Sequence, residues 1–303
     1  MNKKLTLMIV IALILSMLLV GCWGKGNTPT GQEGEENGDV SAGQNETGEA
    51  NGSAQGEKEV FRVGLEADYA PFNWTQMDSS KGAVKIDGSP EYAGGYDVEI
   101  AKIIAEGLGK ELVIVKIDWD GLVPALISNK IDAIIAGMSP TDDRKETIDF
   151  SDNYYKSDLV MVVKKGSKYE NATSIQDFNG AKITAQLNTF HYTVIDQIKG
   201  VKKEAPMDTF PVMRVAIESG ILDGYVSERP EAVSAVSANK NFAMVEFTDG
   251  FETSDDDTAI AVGVRKGDDE LREKINEILA GFTEEDFLSI MNTAIKDQPA
   301  EQE

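Results

Sequence analysis

Residues 119–155 read WDGLVPALISNKIDAIIAGMSPTDDRKETIDFSDNYY, and this stretch indicates both the fold class and a first binding hypothesis. Its apolar run at 131–136 predicts a buried strand that ends at Gly137 and is followed by Ser139 and, one turn later, by Arg144. A guanidinium group can hold a carboxylate bidentately, while Ser139 and the Gly137 carbonyl can face a neighbouring ammonium group. A carboxylate next to an ammonium group is an amino acid, so the stretch predicts an amino-acid site.

The segments before this stretch alternate between apolar strands and amphipathic helices. Strands are predicted at 60–65 and 112–117. Between them, a helix is predicted at 96–108, with Asp97 as its N-terminal cap and apolar side chains at helical spacing. Alternating strands and helices predict an α/β fold with a mainly parallel sheet and helices on both of its faces.

The same alternation restarts after the stretch, as a second α/β unit, before the chain returns to the first unit. Such an insertion requires two chain crossings, near 155–159 and 247–257, and two crossings form a hinge. We therefore predict a first lobe made of residues 60–156 and 250–303, and a second lobe made of residues 157–249. Ligands of open α/β sheets bind at the carboxyl ends of the strands.

The N-terminus has the pattern of an export signal. Lys3 and Lys4 precede an apolar run at 5–20 that ends in the tetrapeptide LVGC. This tetrapeptide resembles a bacterial lipobox, in which the cysteine becomes the first mature residue and carries a lipid. We expect a lipoprotein signal peptide at 1–21 and lipidation of Cys22; the alternative is an ordinary signal peptide with an incidental cysteine. The sequence has no second cysteine, so it cannot form an internal disulfide bond.

The segment at 22–59 is predicted to be a disordered acidic tether. It consists mostly of Gly, Asn, Ser, Thr, Glu and Gln and cannot bury enough apolar surface to offset its ordering entropy. A Gly-rich coil of this length spans about 30–36 Å on average. We therefore expect an extracytoplasmic, monomeric domain, lipid-anchored to the outer face of the cell membrane, with a Gram-positive surface favoured.

The net charge and the single histidine argue against nucleic-acid binding, a metal site and a catalytic triad. A formal net charge of −23 leaves little to neutralise phosphate groups, so nucleic acid is not expected as a partner. The single histidine, His191, cannot by itself form a metal site or a catalytic triad. We predict that it is a polar residue on the first turn of a helix rather than a ligand contact, and we expect no cofactor.

Several blocks together resemble one protein family. They are the opening stretch and the segments VGLEADYAPFNW (63–74), GGYDVEIAKIIAEGLG (94–109) and AIAVGVRKGDDELREKINEIL (259–279). The chain resembles the polar amino-acid-binding proteins of ABC importers, bacterial solute-binding family 3. The resemblance implies a two-lobed, periplasmic-binding-protein-like fold of type II, the Venus flytrap, and an ABC permease as partner. The segment at 77–92 is longer than in the compact members.

The resemblance also implies roles for residues of the first lobe. Arg144 would hold the α-carboxylate of the ligand, and Gly137 and Ser139 would face its ammonium group. Tyr69 and Trp119 would pack on either side of the ligand's side chain.

Four further site residues follow from the resemblance. Glu66 would meet the far end of the ligand's side chain, and Glu228 would bind the ammonium group at a place where the family usually has Asp. In the second-lobe loop, Gln186 and Thr189 match the family pattern, and Thr189 would help hold the carboxylate at a helix N-terminus. Asn188 departs from that pattern, which has Gly there.

These features predict a substrate-binding lipoprotein that captures an amino acid by lobe closure and delivers it to a permease. Glu66, Asp68 and the two aromatic residues favour a basic ligand, such as lysine, arginine or ornithine. Glutamine and histidine stay open, because a carboxylate also accepts from an amide or a ring N–H. An enzyme on the same fold, such as a dehydratase, is the rival class; it would need an extra catalytic acid or an added domain, so we predict that the protein is not an enzyme.

Overall fold

The computed structural model describes residues 59–299, so the predicted signal peptide, Cys22 and nearly all of the tether lie outside the described residues. The strands are β1 (Val60–Leu65), β2 (Asp68–Tyr69), β3 (Asn73–Gln76), β4 (Val84–Lys85), β5 (Tyr92–Gly94), β6 (Glu111–Lys116), β7 (Ala133–Ile134), β8 (Ile148–Lys156), β9 (Leu159–Lys164), β10 (Lys182–Thr184), β11 (Lys202–Lys203), β12 (Gly224–Glu228), β13 (Phe242–Val245) and β14 (Ala259–Arg265). The helices are α1 (Tyr96–Gly107), α2 (Leu122–Ile127), α3 (Asp142–Lys145), α4 (Phe190–Val194), α5 (Phe210–Glu218), α6 (Arg229–Ala238), α7 (Asp255–Thr258), α8 (Asp269–Leu279) and α9 (Glu284–Asp297).

The predicted helix and strands that precede the opening stretch are confirmed within one residue at their ends. The strand expected at 131–136 is shorter, because only β7 pairs with its neighbours, although every residue of that run except the half-buried Asp132 is buried. The expected cap at Asp97 is wrong: Gly95 occupies the N-cap position of α1. Asp97 lies in the first turn instead, fully buried, with its carboxylate turned towards neighbouring side chains.

Two five-stranded sheets carry the fold, and their topologies match. The first has the order β6-β1-β7-β14-β8, and the second has the order β11-β10-β12-β9-β13. In each sheet the first three strands are parallel, and the fourth is antiparallel to both of its neighbours. The sheets are therefore mixed. The reversed strands, β9 and β14, are the ones that enter a sheet directly from a crossing, without the helical crossover that parallel neighbours require.

The two chain crossings lie side by side. The first joins β8 to β9, and the second leads from β13 through α7 to β14. The amide of Ser157 donates to the carbonyl of Thr258 over 2.9 Å, directly beyond the end of the β8–β14 ladder. Arg229 braces the first crossing through a bidentate pair with Asp158, and its guanidinium also contacts Glu246. The division into lobes at 60–156 plus 250–303 and at 157–249 stays a prediction.

A small third sheet, with the order β2-β3-β5-β4, was not expected. Its strands are two to four residues long, too short to show a periodic pattern. The long segment at 77–92 contributes β4 and the first residue of β5 to this sheet, and Tyr69 of β2 pairs with Asn73 of β3.

Helix α1 shows why the apolar pattern of the sequence produces these layers. Val98, Ala101 and Ile104 are fully buried, whereas Glu99 and Lys102 form an exposed ion pair one turn apart. This division buries one face of α1 against the first sheet. Within residues 59–299, no helix is both long and apolar enough to cross a membrane.

Candidate ligand-binding site

The predicted site residues gather where strands of the two large sheets end. Glu66 follows β1, and Gln186 follows β10 of the second sheet; the Gln186 side-chain amide donates to the Glu66 carboxylate at 3.0 Å (Oε2) and 3.4 Å (Oε1). A second contact of this kind joins Asn188 Nδ2 to Asp120 Oδ1 at 2.8 Å. Residues far apart in the sequence therefore meet at the carboxyl ends of the strands, which is where α/β sheets bind ligands.

Arg144, on α3, is a partly buried cation without an acidic partner. Its guanidinium donates to the carbonyls of Ser139 (2.9 Å) and Asn188 (3.1 Å), and its Cζ lies 5.1 Å from the centroid of the Trp119 ring. Among the described residues, no carboxylate is within ion-pair distance of it. Burial lowers the pKa of Arg144 to about 10, so the group is still charged at neutral pH. A fork of donors that is satisfied only by carbonyls is suited to a carboxylate.

Gly137 brings the backbone against an aromatic ring. Its φ is +61°, and a Cβ atom there would lie 2.7 Å from Cε1 of Tyr69, so only glycine fits without a shift. Next to it, the buried Asp97 carboxylate accepts from Asn73 Nδ2 (2.7 Å) and from the Tyr154 hydroxyl (2.8 Å). Asn73 Oδ1 in turn accepts from the amide of Ala67, the residue after Glu66.

This network connects the loop after β1 with the loop after β7. Burial raises the pKa of Asp97 to about 6, while hydrogen bonds from Asn73, Tyr154 and the Gly137 backbone favour the ionised form. From the sequence, Asp97 could be described only as an acidic residue at the start of a helix. Its actual role depends on three partners that come from separate segments.

The two aromatic residues that the resemblance assigns to the ligand's side chain both contact other side chains of the protein. Tyr69 is stacked on Phe210, the first residue of α5, with the ring centroids 4.5 Å apart and the planes 8° apart. It also contacts Phe72, at 4.8 Å. Trp119 faces Arg144 rather than Tyr69. Phe210 was missed, although an aromatic residue that opens a helix after a strand of the second sheet was a usable signal.

Carboxylates dominate the side of the site around Glu66. A cavity of about 470 Å³ is lined by Trp119 and five acidic residues, namely Glu66, Asp68, Asp118, Asp120 and Asp208. One basic group, Lys116, lies beside these carboxylates, with Nζ 3.8 Å from Asp68. Glu66 is 4% exposed, and burial, reinforced by the charge of Asp68, raises its pKa to about 8. This end of the site is therefore poised to receive a cation.

On the side of the second sheet, Glu228 ends β12 and is 2% exposed. It does not pair with Arg229, which binds Asp158 and Glu246 instead. Its Oε1 lies 3.2 Å from Nε2 of His191. Burial raises the pKa of Glu228 to about 8, and the nearby Glu231 adds to that effect.

Thr189 and His191 lie at the start of α4, and both side chains have contacts that the sequence did not indicate. The Thr189 hydroxyl donates to the carbonyl of Gln186 over 2.7 Å, and the helix that follows it, α4, has only five residues. His191 lies in the first turn of α4, as expected, but it is only 5% exposed and contacts Glu228. A polar ring buried at this position could not be distinguished from an exposed one by sequence pattern.

Comparison with known proteins identifies the family. Residues 61–294 match the family model described as "Bacterial extracellular solute-binding proteins, family 3". The chain belongs to this family. The family is one of non-enzymatic solute-binding proteins, which confirms the prediction of a binding protein.

Individual relatives agree with this assignment. The arginine-binding extracellular protein ArtP of Bacillus subtilis is 30% identical over 237 residues, which cover 77% of this chain and 84% of ArtP. A probable histidine-binding protein of Campylobacter jejuni is 31% identical over 197 residues, covering 64% of this chain and 70% of that protein.

A solved structure confirms the fold class. The amino-acid ABC transporter substrate-binding protein AbpA of Streptococcus pneumoniae, crystallised with L-arginine, is 28% identical and matches with a TM-score of 0.67 over 78% of this chain and 94% of that chain. The chain thus has the two-lobed periplasmic-binding-protein-like fold. It is an extracytoplasmic substrate-binding protein of the amino-acid ABC transporter class.

Proposed function

We propose that this family member binds a basic amino acid, with L-arginine favoured over lysine and ornithine, and delivers it to an ABC permease. The observation that carries the proposal is the pairing of two opposite electrostatic ends. Arg144 offers an unpaired guanidinium at one end, and Glu66 lies among four other carboxylates at the other. A basic amino acid has a carboxylate at one end and a cation at the other.

At the first end, Arg144 holds the α-carboxylate. At an effective dielectric constant of about 20, a charge pair at 4 Å interacts by about 4 kcal/mol, and a bidentate geometry adds directional hydrogen bonds. Ser139, Gly137 and Glu228 face the α-ammonium group. The Arg144 guanidinium donates to the carbonyls of Ser139 and Asn188, which are neutral acceptors that a carboxylate can replace.

At the second end, the side-chain amide of Gln186 marks the position of the ligand's cation. It directs N–H donors at both oxygens of Glu66, as one edge of a guanidinium group would do. A guanidinium also brings the charge that the amide lacks. Trp119 lines the same cavity, where it can cover the aliphatic part of the ligand's side chain. Tyr69 would do the same once its stacking partner, Phe210, moves aside.

Lobe closure follows if, as we propose, the ligand contacts residues of both sheets. Arg144, Ser139 and Glu66 belong to the predicted first lobe, and Glu228, Gln186 and Thr189 to the second. A ligand that contacts both sets binds the closed form more tightly than the open form, and only such a difference in affinity can shift the equilibrium. Relatives named for arginine support this ligand.

The remaining parts of the proposal concern location. The signal peptide at 1–21, the lipid on Cys22 and the tether would hold a monomeric domain at the outer face of the cell membrane, close to its permease. Labelling with radioactive palmitate tests the anchor, because Cys22→Ser should abolish incorporation. Incorporation into Cys22→Ser would refute the assignment of the lipid site.

Isothermal titration calorimetry tests the ligand. The full-length protein in mild detergent, stripped of bound ligand by unfolding and refolding, is titrated with each common amino acid and with ornithine. We expect L-arginine to bind most tightly. A second candidate, histidine, is favoured by the relative named for it and by the ability of Glu66 to accept from a ring N–H. Tightest binding of an acidic or purely apolar amino acid would refute the proposal.

A further inference from the structure

His191 and Glu228 form a buried pair with unused hydrogen-bonding capacity. Nε2 of His191 lies 3.2 Å from Oε1 of Glu228, yet neither ring nitrogen has a hydrogen-bond partner within residues 59–299. Oε2 of Glu228 also lacks a partner there. Most buried polar atoms in native proteins are hydrogen-bonded, and leaving one unsatisfied costs about 1–3 kcal/mol. Three such atoms in one place indicate a site whose partner arrives with the ligand.

The surroundings fix the chemical state of the imidazole. Burial, together with the positive charge of Arg144, lowers the pKa of His191 to about 3, so the ring is neutral at any physiological pH. A neutral imidazole has one N–H donor and one acceptor nitrogen. The charged groups that act on the pair are Arg144, which influences His191, and Glu231, which influences Glu228. The ring of Phe190 covers the imidazole, with the centroids 4.3 Å apart.

We propose that His191 is a ligand-contacting residue that, together with Glu228, receives the α-ammonium group of the bound amino acid. This inference rests on the proposed function and deepens it. An ammonium group has three N–H donors and no acceptor. Glu228 and the acceptor nitrogen of His191 take two of these donors, and the third is left for Ser139 and the Gly137 carbonyl.

The neutrality of His191 is useful in this position. The ligand's head group brings one negative and one positive charge, and Arg144 and Glu228 already balance them. A second carboxylate at position 191 would add an uncompensated buried charge, whereas a neutral nitrogen completes the hydrogen bonds without changing the charge balance. A histidine that served only to fill the core would have a protein partner for at least one of its nitrogens.

The test compares two ligands and four proteins by isothermal titration calorimetry of the full-length protein. The ligands are L-arginine and its des-amino analogue, 5-guanidinopentanoate, which lacks only the α-ammonium group. The proteins are the wild type, His191→Phe, His191→Gln and the control Tyr192→Phe. Tyr192 follows His191 on α4, but its hydroxyl donates to the carbonyl of Glu204, so it serves as a matched control.

We expect His191→Phe to weaken L-arginine binding by about 10–100-fold, the factor typical of a lost hydrogen bond to a charged group. The same substitution should change the affinity for the analogue by less than about threefold. His191→Gln retains an acceptor oxygen and should stay within about fivefold of the wild type, and Tyr192→Phe should match the wild type. The melting temperature of ligand-free His191→Phe should not fall, because the substitution removes two unsatisfied nitrogens.

Equal losses for both ligands, or no loss for L-arginine in His191→Phe, would overturn the inference while leaving the proposed function intact. If His191→Phe does not fold, His191→Met replaces it in the same comparison. Absence of binding of any amino acid by the wild-type protein would instead overturn the proposed function, and the inference with it.

Discussion

Binding of L-arginine should release protons from the site. Burial raises the pKa of both Glu66 and Glu228 to about 8 in the ligand-free protein. At pH 7 a group with that pKa is about nine-tenths protonated, so cationic groups placed next to both carboxylates would expel about 1.8 protons in total. The number should fall to about 1 at pH 8 and to about 0.2 at pH 9.

The affinity for L-arginine should follow the same titration. Below pH 8, each of the two carboxylates must be deprotonated before it can pair with the ligand, which weakens binding by about tenfold per group per pH unit. The affinity should therefore rise as the pH increases from 6 to 8 and level off above pH 8. The stability of the ligand-free protein should change in the opposite direction. The folded pKa lies above the unfolded value of 4.5, so the free energy of unfolding falls as the pH rises from about 4.5 to 8.

Calorimetry in buffers of different ionisation enthalpy, such as phosphate and Tris, measures the proton count directly. At pH 7, Glu66→Gln should release about one proton fewer than the wild type and should weaken arginine more than glutamine. Glu99→Gln, a substitution of a surface carboxylate paired with Lys102, is the matched control and should leave the count unchanged. Tight arginine binding without proton release, or an unchanged count in Glu66→Gln, would refute the reasoning.

Substitutions at three further residues probe the rest of the site. Arg144→Ala should abolish measurable binding, which corresponds to a loss of about 3–5 kcal/mol in binding free energy. Arg144→Lys should restore only part of this loss, because an ammonium group cannot bind a carboxylate bidentately. Calorimetry measures the affinity of both variants. Gly137→Ala should lower the free energy of unfolding by about 1–3 kcal/mol, and arginine affinity with it, because its Cβ meets Tyr69; urea denaturation and calorimetry check this. Phe210→Leu keeps an apolar side chain but loses the ring stack, so it should lower stability by about 0.5–1.5 kcal/mol in the same denaturation assay.

For each of these predictions, one result would contradict the stated reason. Near-native affinity of Arg144→Ala would show that Arg144 does not hold the ligand's carboxylate. Gly166→Ala provides the control for the glycine: its φ is also positive, +76°, but no atom lies within 4 Å of the added Cβ. Equal losses of stability at both glycines would show that backbone strain, rather than contact with Tyr69, causes the effect. An unchanged free energy of unfolding in Phe210→Leu would indicate that the stack contributes nothing.

The elements and the strand-end residues could be predicted because they depend on local order. The apolar run of β1 and the spacing in α1 are properties of consecutive residues, and they place Glu66 at the end of a strand without knowledge of its neighbours. Gly137 and Ser139 follow from β7 in the same way. The family blocks then extended the prediction to the second sheet.

Other parts of the site depend on contacts between distant segments. The Asp97 network, the stack of Phe210 on Tyr69 and the burial of His191 against Glu228 join residues 24 to 141 positions apart. Hydrophobic periodicity contains no information on such pairs. The reversed direction of β9 and β14 was missed for a related reason, because strand direction depends on where the chain enters a sheet and not on the composition of the strand.

The hydrogen bond between Ser157 and Thr258 limits how the two halves of the molecule can move. We expect that twisting one sheet against the other would strain this bond, because it joins the two crossings, whereas bending across both crossings together would leave it intact. We therefore expect the paired crossings to form a hinge that permits one rotation of the two halves and resists the others. A permease that contacts both halves would then need to sense only a single opening angle to distinguish the ligand-bound protein from the unbound one.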